Sequence, residues 1–176
     1  MTEDQTQGMI ESMKVIHAIT QKEAESIIEL YPDKHNEERT NSLETFRQHF
    51  KETQKGDRIL YLLKDDDKTI GTVSLVLKQK NPDEPCLFGL GVGHINHLRV
   101  HPDYQGQKLA GLLNSKLEAE ATKIGLKTLT LGVEPNNQKA INVYSHWGYM
   151  KFLEYQGDAG HGKTETIIGM KKNLQE

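Results

Sequence analysis

Cysteine is nearly missing from this chain. Cys86 stands alone among 176 residues, so no disulfide can close within it, and a reducing compartment, the cytoplasm, is the expected location. Long apolar runs are missing too. The longest, Ile59-Leu60-Tyr61-Leu62-Leu63, falls far short of the ~20 residues that a membrane-spanning helix needs. There is no basic excess: the net charge is −3 with both signs interspersed, which argues against a nucleic-acid partner, whose phosphates call for clustered Lys and Arg. The opening residues, Met1-Thr2-Glu3-Asp4-Gln5, are acidic with no apolar stretch after a basic one, so no secretory leader is expected. Internal repeats and low-complexity tracts are absent as well.

What remains is a length suited to one ordinary domain over residues 1–176, with residues 1–13 polar and loose. Val15 to Ala18 reads as a strand, and Thr20 caps a helical stretch from Gln21 to Leu30 that Pro32 closes. Ser42 opens a second helix, with Leu43, Phe46, Phe50 and Thr53 on one face, ending near Gly56. Arg58 to Lys64 and Thr69 to Lys78 form a hairpin around Asp65-Asp66-Asp67. A strand from Val92 to Val100 leads to a helix from Lys108 to Ile124, with Leu109, Leu112, Leu113, Leu117 and Ile124 facing the core and Gly125 at its end. Leu126 to Val133 is a strand, Asn137 caps a short helix to His146, and strands Tyr149 to Gln156 and Thr164 to Lys172 follow. Hairpins first and strand–helix alternation later predict an α/β fold, a mixed and mostly antiparallel central sheet flanked by helices.

Chemistry concentrates between Leu98 and Tyr149. After the strand that ends at Val100, Tyr104-Gln105-Gly106-Gln107-Lys108-Leu109-Ala110-Gly111 leads into an amphipathic helix. Such a turn aims several backbone N–H groups and the positive end of the helix dipole at one point, which suits a pyrophosphate.

Gln105-Gly106-Gln107-Lys108-Leu109-Ala110 resembles the cofactor loop of the GNAT superfamily of N-acetyltransferases, Gln/Arg-x-x-Gly-x-Gly/Ala after a strand ending in Val. Lys108 departs from it, standing where the family prefers glycine. Asn137-x-x-Ala140-x-x-x-Tyr144-x-x-x-Gly148-Tyr149 resembles the family's second conserved segment. The resemblance implies a GNAT-type acyl-CoA N-acyltransferase fold, acetyl-CoA as co-substrate without a metal, and transfer of acetyl to the amine of a small molecule or peptide. It implies cofactor contacts from Leu98, Arg99, Val100, residues Gln105, Gly106, Gln107, Lys108, Leu109, Ala110 and Gly111, and from Asn137 and Tyr144. It also implies that a backbone N–H of Leu98-Arg99-Val100 steadies the thioester oxygen, and that Tyr144 is the acid toward the departing thiolate.

The base is open. Some ribosomal-protein acetyltransferases of the superfamily carry a glutamate where this chain has Gly132, and histone-type members carry one where it has His94. A histidine can take a proton near its ordinary pKa of ~6.5. His94, on one strand face with Asn96 and Leu98, is either that base or a polar lining of the acceptor cleft, with Glu134 a weaker candidate. Polyamines, amino acids, aminoglycosides and protein N-termini all remain as acceptors, and a homodimer stays open.

Three other signals compete. Gly157-Asp158-Ala159-Gly160-His161-Gly162-Lys163-Thr164 fits the P-loop pattern, but the alternation of Thr164, Thr166, Ile168 and Met170 predicts a strand where a P-loop needs a helix. A hairpin loop is the expected reading. His94, His97 and His101 look like metal ligands, yet residues three apart on a strand face opposite ways unless a bulge intervenes. Gly89-x-Gly91-x-Gly93 precedes a strand, the wrong order for a dinucleotide site, and reads as a flexible loop. The rivals to an enzyme are a non-catalytic acetyl-CoA sensor and a nucleotide-binding protein.

Overall fold

A computed structural model describes residues 13–34, 36–78, 89–158 and 164–174. The expectation of a loose N-terminus thus lies, apart from Met13, outside the described residues. The elements are β1 (Met13–His17), α1 (Gln21–Glu25) running into a 3₁₀ turn (Ser26–Leu30), α2 (Asn36–Gln54), β2 (Arg58–Asp65), β3 (Lys68–Val76), β4 (Val92–Val100), a 3₁₀ turn (Pro102–Tyr104), α3 (Leu109–Lys123), β5 (Thr128–Val133), α4 (Gln138–His146), β6 (Met150–Asp158) and β7 (Thr164–Asn173). The sheet order is β1-β2-β3-β4-β5-β7-β6. β4 and β5 pair in parallel, which requires a crossover such as α3 between them. The pairs β1–β2, β5–β7 and β6–β7 are antiparallel. This is the mixed, mostly antiparallel α/β sheet that the pattern predicts. Among the described residues, no helix is long and apolar enough to cross a membrane.

The described residues form two compact units, one within Met1–Ser74 and His97–Leu117, the other within Leu75–Asn96 and Glu118–Glu176. In the first, α1 starts on a capping box: Thr20 Oγ1 accepts from Glu23 N at 3.2 Å, and the Glu23 carboxylate accepts from Thr20 N at 2.9 Å. Ala24, Ile27, Leu30 and Phe46 pack on Leu60 and Leu62 of β2, each large side chain contributing about 1.5–3 kcal/mol by its burial.

Helix α2 corrects the sequence reading. It begins at Asn36, six residues before Ser42. Ser42 is buried inside it and accepts a hydrogen bond from Lys34 Nζ at 2.9 Å, so its hydroxyl is satisfied without capping. The most buried positions of α2 are Ser42, Phe46, His49 and Glu52, a helical row with one apolar member, invisible to a search for hydrophobic spacing. Glu52 pairs with buried Arg58 at 2.8 Å, and Arg58 donates to Ser74 Oγ at 2.6 Å. That partnering is what makes the buried charges tolerable.

Along α3, Leu109, Leu113, Leu117 and Ala121 form the buried row. Leu112 and Ile124, expected beside them, are 42% and 43% exposed: the first lies one position off the i, i+4 row, the second beyond the helix. Gly125 has the left-handed φ of 84° expected at a helix end.

In the second unit, β5 pairs with β7 from Thr128↔Asn173 to Val133↔Ile168. The β4–β5 ladder is short: Val92, Gly93 and His94 face Thr128, Leu129 and Thr130. Gly93 is no flexible hinge, because a Cβ there would stand 2.7 Å from methyls of Leu75 and Leu126. Close packing, not mobility, requires glycine at that position.

Candidate active site

The first unit supplies a site made of backbone. At the end of β4, His101 N donates to Ile70 O at 2.8 Å and its ring accepts from Asp103 N at 3.3 Å. The Gln105 side chain donates back to Val100 O at 3.2 Å, and Tyr104 donates to Asp65 at 3.0 Å. These bonds pin both sides of the turn. Gly106 and Lys108 then take left-handed φ values of 80° and 62°, folding Gln105 to Lys108 into a tight entry to α3. The first N–H groups of such a helix lack partners within it. A Cβ built on Gly106 would meet nothing within 4 Å. The left-handed φ of Lys108 is one that glycine adopts without strain, so a side chain at that position carries a conformational cost.

Strand β4 is irregular just upstream. His97 has φ 54°, so alternation stops there, and the shared face expected for His94, Asn96 and Leu98 cannot be carried past Asn96. The His97 ring lies 4.8 Å from that of His49 and 6.4 Å from that of Phe46. Burial, with the Arg58 and Arg99 guanidiniums adding to it, lowers its pKa to about 4, so the ring is neutral at pH 7. The Arg99 guanidinium stacks 4.1 Å from the Tyr31 ring and donates to Leu30 O at 3.3 Å. Its side chain thus anchors β4 to the 3₁₀ turn.

The second unit supplies side chains. His94 Nδ1 and Thr130 Oγ1 are 3.0 Å apart on the last rung of the β4–β5 ladder. Thr130 in turn makes a long bond, 3.4 Å, to Gly93 O, and this uses its one proton. With that proton turned toward Gly93, the Thr130 oxygen can accept from His94 Nδ1–H, the tautomer that leaves Nε2 as an acceptor. Asn137 caps α4 as predicted, its Oδ1 accepting from Ala140 N at 3.1 Å. Tyr144 follows on that helix, its ring edge-on to Trp147 at 5.8 Å and to Tyr149 at 5.9 Å. Burial raises the Tyr144 pKa to about 12. Tyr149 donates to Glu118 at 3.1 Å, and Lys172 reaches the same carboxylate at 2.8 Å. Burial first, then the Glu118 charge and hydrogen bond, push Tyr149 higher still.

The competing motifs resolve differently. Residues 159–163 of the P-loop match lie outside the described residues, but Thr164 opens strand β7, paired antiparallel to β6 from Asp158, where a nucleotide loop would open a helix. The three histidines go to three sets of partners: His94 to Thr130, His97 to His49 and Phe46, His101 to its own turn. Among the described residues no group of three His, Cys, Asp or Glu is placed to hold a metal. Sequence reasoning missed Thr130, whose contact with His94 depends on strand register and leaves no local signature.

The chain's sequence matches the model of the acetyltransferase (GNAT) family over residues 17–149. No curated protein matches it significantly in sequence. Among solved structures, YncA of Salmonella typhimurium with its cofactor acetyl-CoA is similar at a TM-score of 0.69 and 18% identity, over 94% of this chain and 95% of that one. The ribosomal-protein-S18-alanine N-acetyltransferase of Escherichia coli is similar at 0.66 and 17%, over 93% and 95%. A spermidine N-acetyltransferase chimera of the Vibrio cholerae enzyme SpeG and hSSAT is similar at 0.69 and 16%, over 93% and 96%. At these identities the likeness speaks for the fold.

Proposed function

The chain belongs to the acetyltransferase (GNAT) family, acetyl-CoA-dependent N-acyltransferases, and from that premise we propose that it moves the acetyl group onto a primary amine by direct attack, in the cytoplasm. The observation that carries this reading is the β4–α3 turn. Gly106 and Lys108 take left-handed φ values at the entry to α3, a Cβ on Gly106 would meet nothing within 4 Å, and a helix N-terminus suits a phosphate. The backbone from Gly106 to Ala110 holds the diphosphate, and the edge of Leu98, Arg99 and Val100 holds the pantetheine amides. Acetyl-CoA brings an acyl group already activated as a thioester.

The protein's own groups handle protons and charge. An amine of pKa ~10.4 is neutral in only about one molecule in a few thousand at pH 7, so a base must take its proton. His94 fills that role, held through Nδ1 against Thr130. A backbone N–H of residues 98–100 steadies the carbonyl oxygen as it gains charge, and Tyr144, protonated throughout the neutral range, donates to the leaving thiolate. Two structural neighbours are named for spermidine and for the alanine of ribosomal protein S18. Small-molecule and peptide amines are therefore the acceptors to try.

Thiol release from acetyl-CoA across polyamines, amino acids, aminoglycosides and short peptides tests the proposal, with mass spectrometry of the amine product. Release with at least one amine supports it. Tight acetyl-CoA binding with no release from any amine makes the protein a sensor instead.

A further inference from the structure

Gly132 lies in β5, two residues past Thr130, and the regular β5–β7 register puts both on one face. A Cβ at Gly132 would stand 3.0 Å from the phenol oxygen of Tyr155 and 3.0 Å from Ile167 Cγ2. Tyr155 belongs to β6, where it pairs with Ile167 of β7. Its ring therefore reaches across β7 and ends with its hydroxyl over β5. A second glycine makes room at the other end, since a Cβ on Gly157 would strike the ring at 2.7 Å. Two glycines thus seat one tyrosine, and its oxygen occupies the place where β5 lacks a side chain.

That place has a chemical context. The β4–β5 ladder closes on His94 and Thr130, and Gly132 is the next residue of β5 on that face. The Tyr155 hydroxyl thus lies one strand step, roughly 6.5–7 Å, beyond the His94–Thr130 pair. The opposite face of the same strands carries Lys172, whose ammonium meets Glu118 of α3 and lies over Tyr149, against which Tyr144 packs. His94 and Tyr155 share the face turned away from Tyr144.

We propose that Tyr155 is an acceptor-binding residue, its phenol oxygen taking a hydrogen bond from the incoming amine and turning the nitrogen lone pair toward the acyl carbon while His94 removes the proton. The inference rests on the acetyl-transfer reading above. Gly132 is then part of the device, since any side chain there would displace the phenol.

Steady-state kinetics with the best amine of the panel test it on three variants of the full chain. Tyr155→Phe keeps the seated ring and loses the hydrogen bond to the amine, so the acceptor KM should rise about three- to tenfold, with acetyl-CoA KM unchanged. Gly132→Ala should raise the acceptor KM similarly by moving the phenol. The double variant should be no worse than the worse single one, because both remove the same contact. An unchanged acceptor KM in Tyr155→Phe, or additive losses in the double variant, overturns the proposal and leaves acetyl transfer standing. No thiol release by the parent protein with any amine overturns the catalytic reading, and Tyr155's role with it.

Discussion

The turn from Gln105 to Gly111 and the strands carrying His94, Thr130 and Tyr155 are built from opposite materials. In the turn the side chains serve as scaffolding: Gln105 holds Val100 and Tyr104 holds Asp65, leaving the backbone to meet a ligand. On the strands the backbone is spent on ladders, and hydroxyls and an imidazole stand on one face of them. The first arrangement suits a diphosphate, which needs several N–H donors and little discrimination. The second suits an amine, which needs a proton acceptor in one orientation. If the division is real, damage to each region should move a different kinetic constant.

The largest effect should come from His94. His94→Gln keeps an N–H for Thr130 but offers no basic nitrogen, so kcat should fall by about 10²–10⁴. Acetyl-CoA KM should barely move. Glu134→Gln made in parallel should stay near the parent rate. A reversal between these two variants would hand the base role to Glu134 and leave His94 as lining.

Gly106→Asp attacks the other region. A non-glycine residue at φ 80° costs about 1–2 kcal/mol, and its carboxylate would face the diphosphate. Coenzyme A affinity by isothermal titration should weaken about a hundredfold, a loss of about 2.7 kcal/mol. Unchanged affinity in a folded variant would place the cofactor elsewhere and end the comparison.

The same contrast decides what could be read in advance. A turn is written in consecutive residues, so Gln105 to Gly111 disclosed the entry to α3, and Asn137 disclosed the start of α4. The His94–Thr130 pair joins residues 36 apart, and the seat of Tyr155 depends on the register of three strands, which one-dimensional spacing does not encode. The polar row of α2 escaped for another reason. His49 and Glu52 are buried because rings and Arg58 meet them, and a pattern search treats such residues as surface. His97 adds a third kind of failure, a left-handed residue that no glycine announces.

Tyr144 should matter less than its place in the family's segment suggests. With its pKa raised to about 12, it is a weaker acid than an ordinary phenol, while a thiolate of pKa ~8.5 leaves tolerably unaided. Tyr144→Phe should lower kcat at or just below the ~10²-fold end of the range for general acids, with acetyl-CoA KM unchanged because the ring packing survives. The raised pKa favours the protonated form, so Tyr144 should impose no loss of activity up to about pH 10. A tyrosine-dependent fall beginning near pH 9, absent in the Phe variant, would contradict its burial.

The smallest effect asks whether the turn binds through backbone alone. Lys108 is held at φ 62°, which costs a side-chain-bearing residue about 1–2 kcal/mol, while glycine would lose up to ~1 kcal/mol of that advantage to the greater freedom of its unfolded chain. Lys108→Gly should therefore stabilise the protein by about 0.5–1 kcal/mol and raise its Tm by roughly 1–4 °C. Lys108→Ala keeps the strain and removes only the charge, so its Tm should match the parent. Coenzyme A affinity then isolates the ammonium. If N–H groups do the holding, both variants should bind within about threefold of the parent, whereas a direct ammonium–phosphate contact should weaken both by about tenfold and flatten the salt dependence of binding. The second outcome would place a charged side chain in the region assigned to backbone, and the division between the two regions would have to be redrawn there.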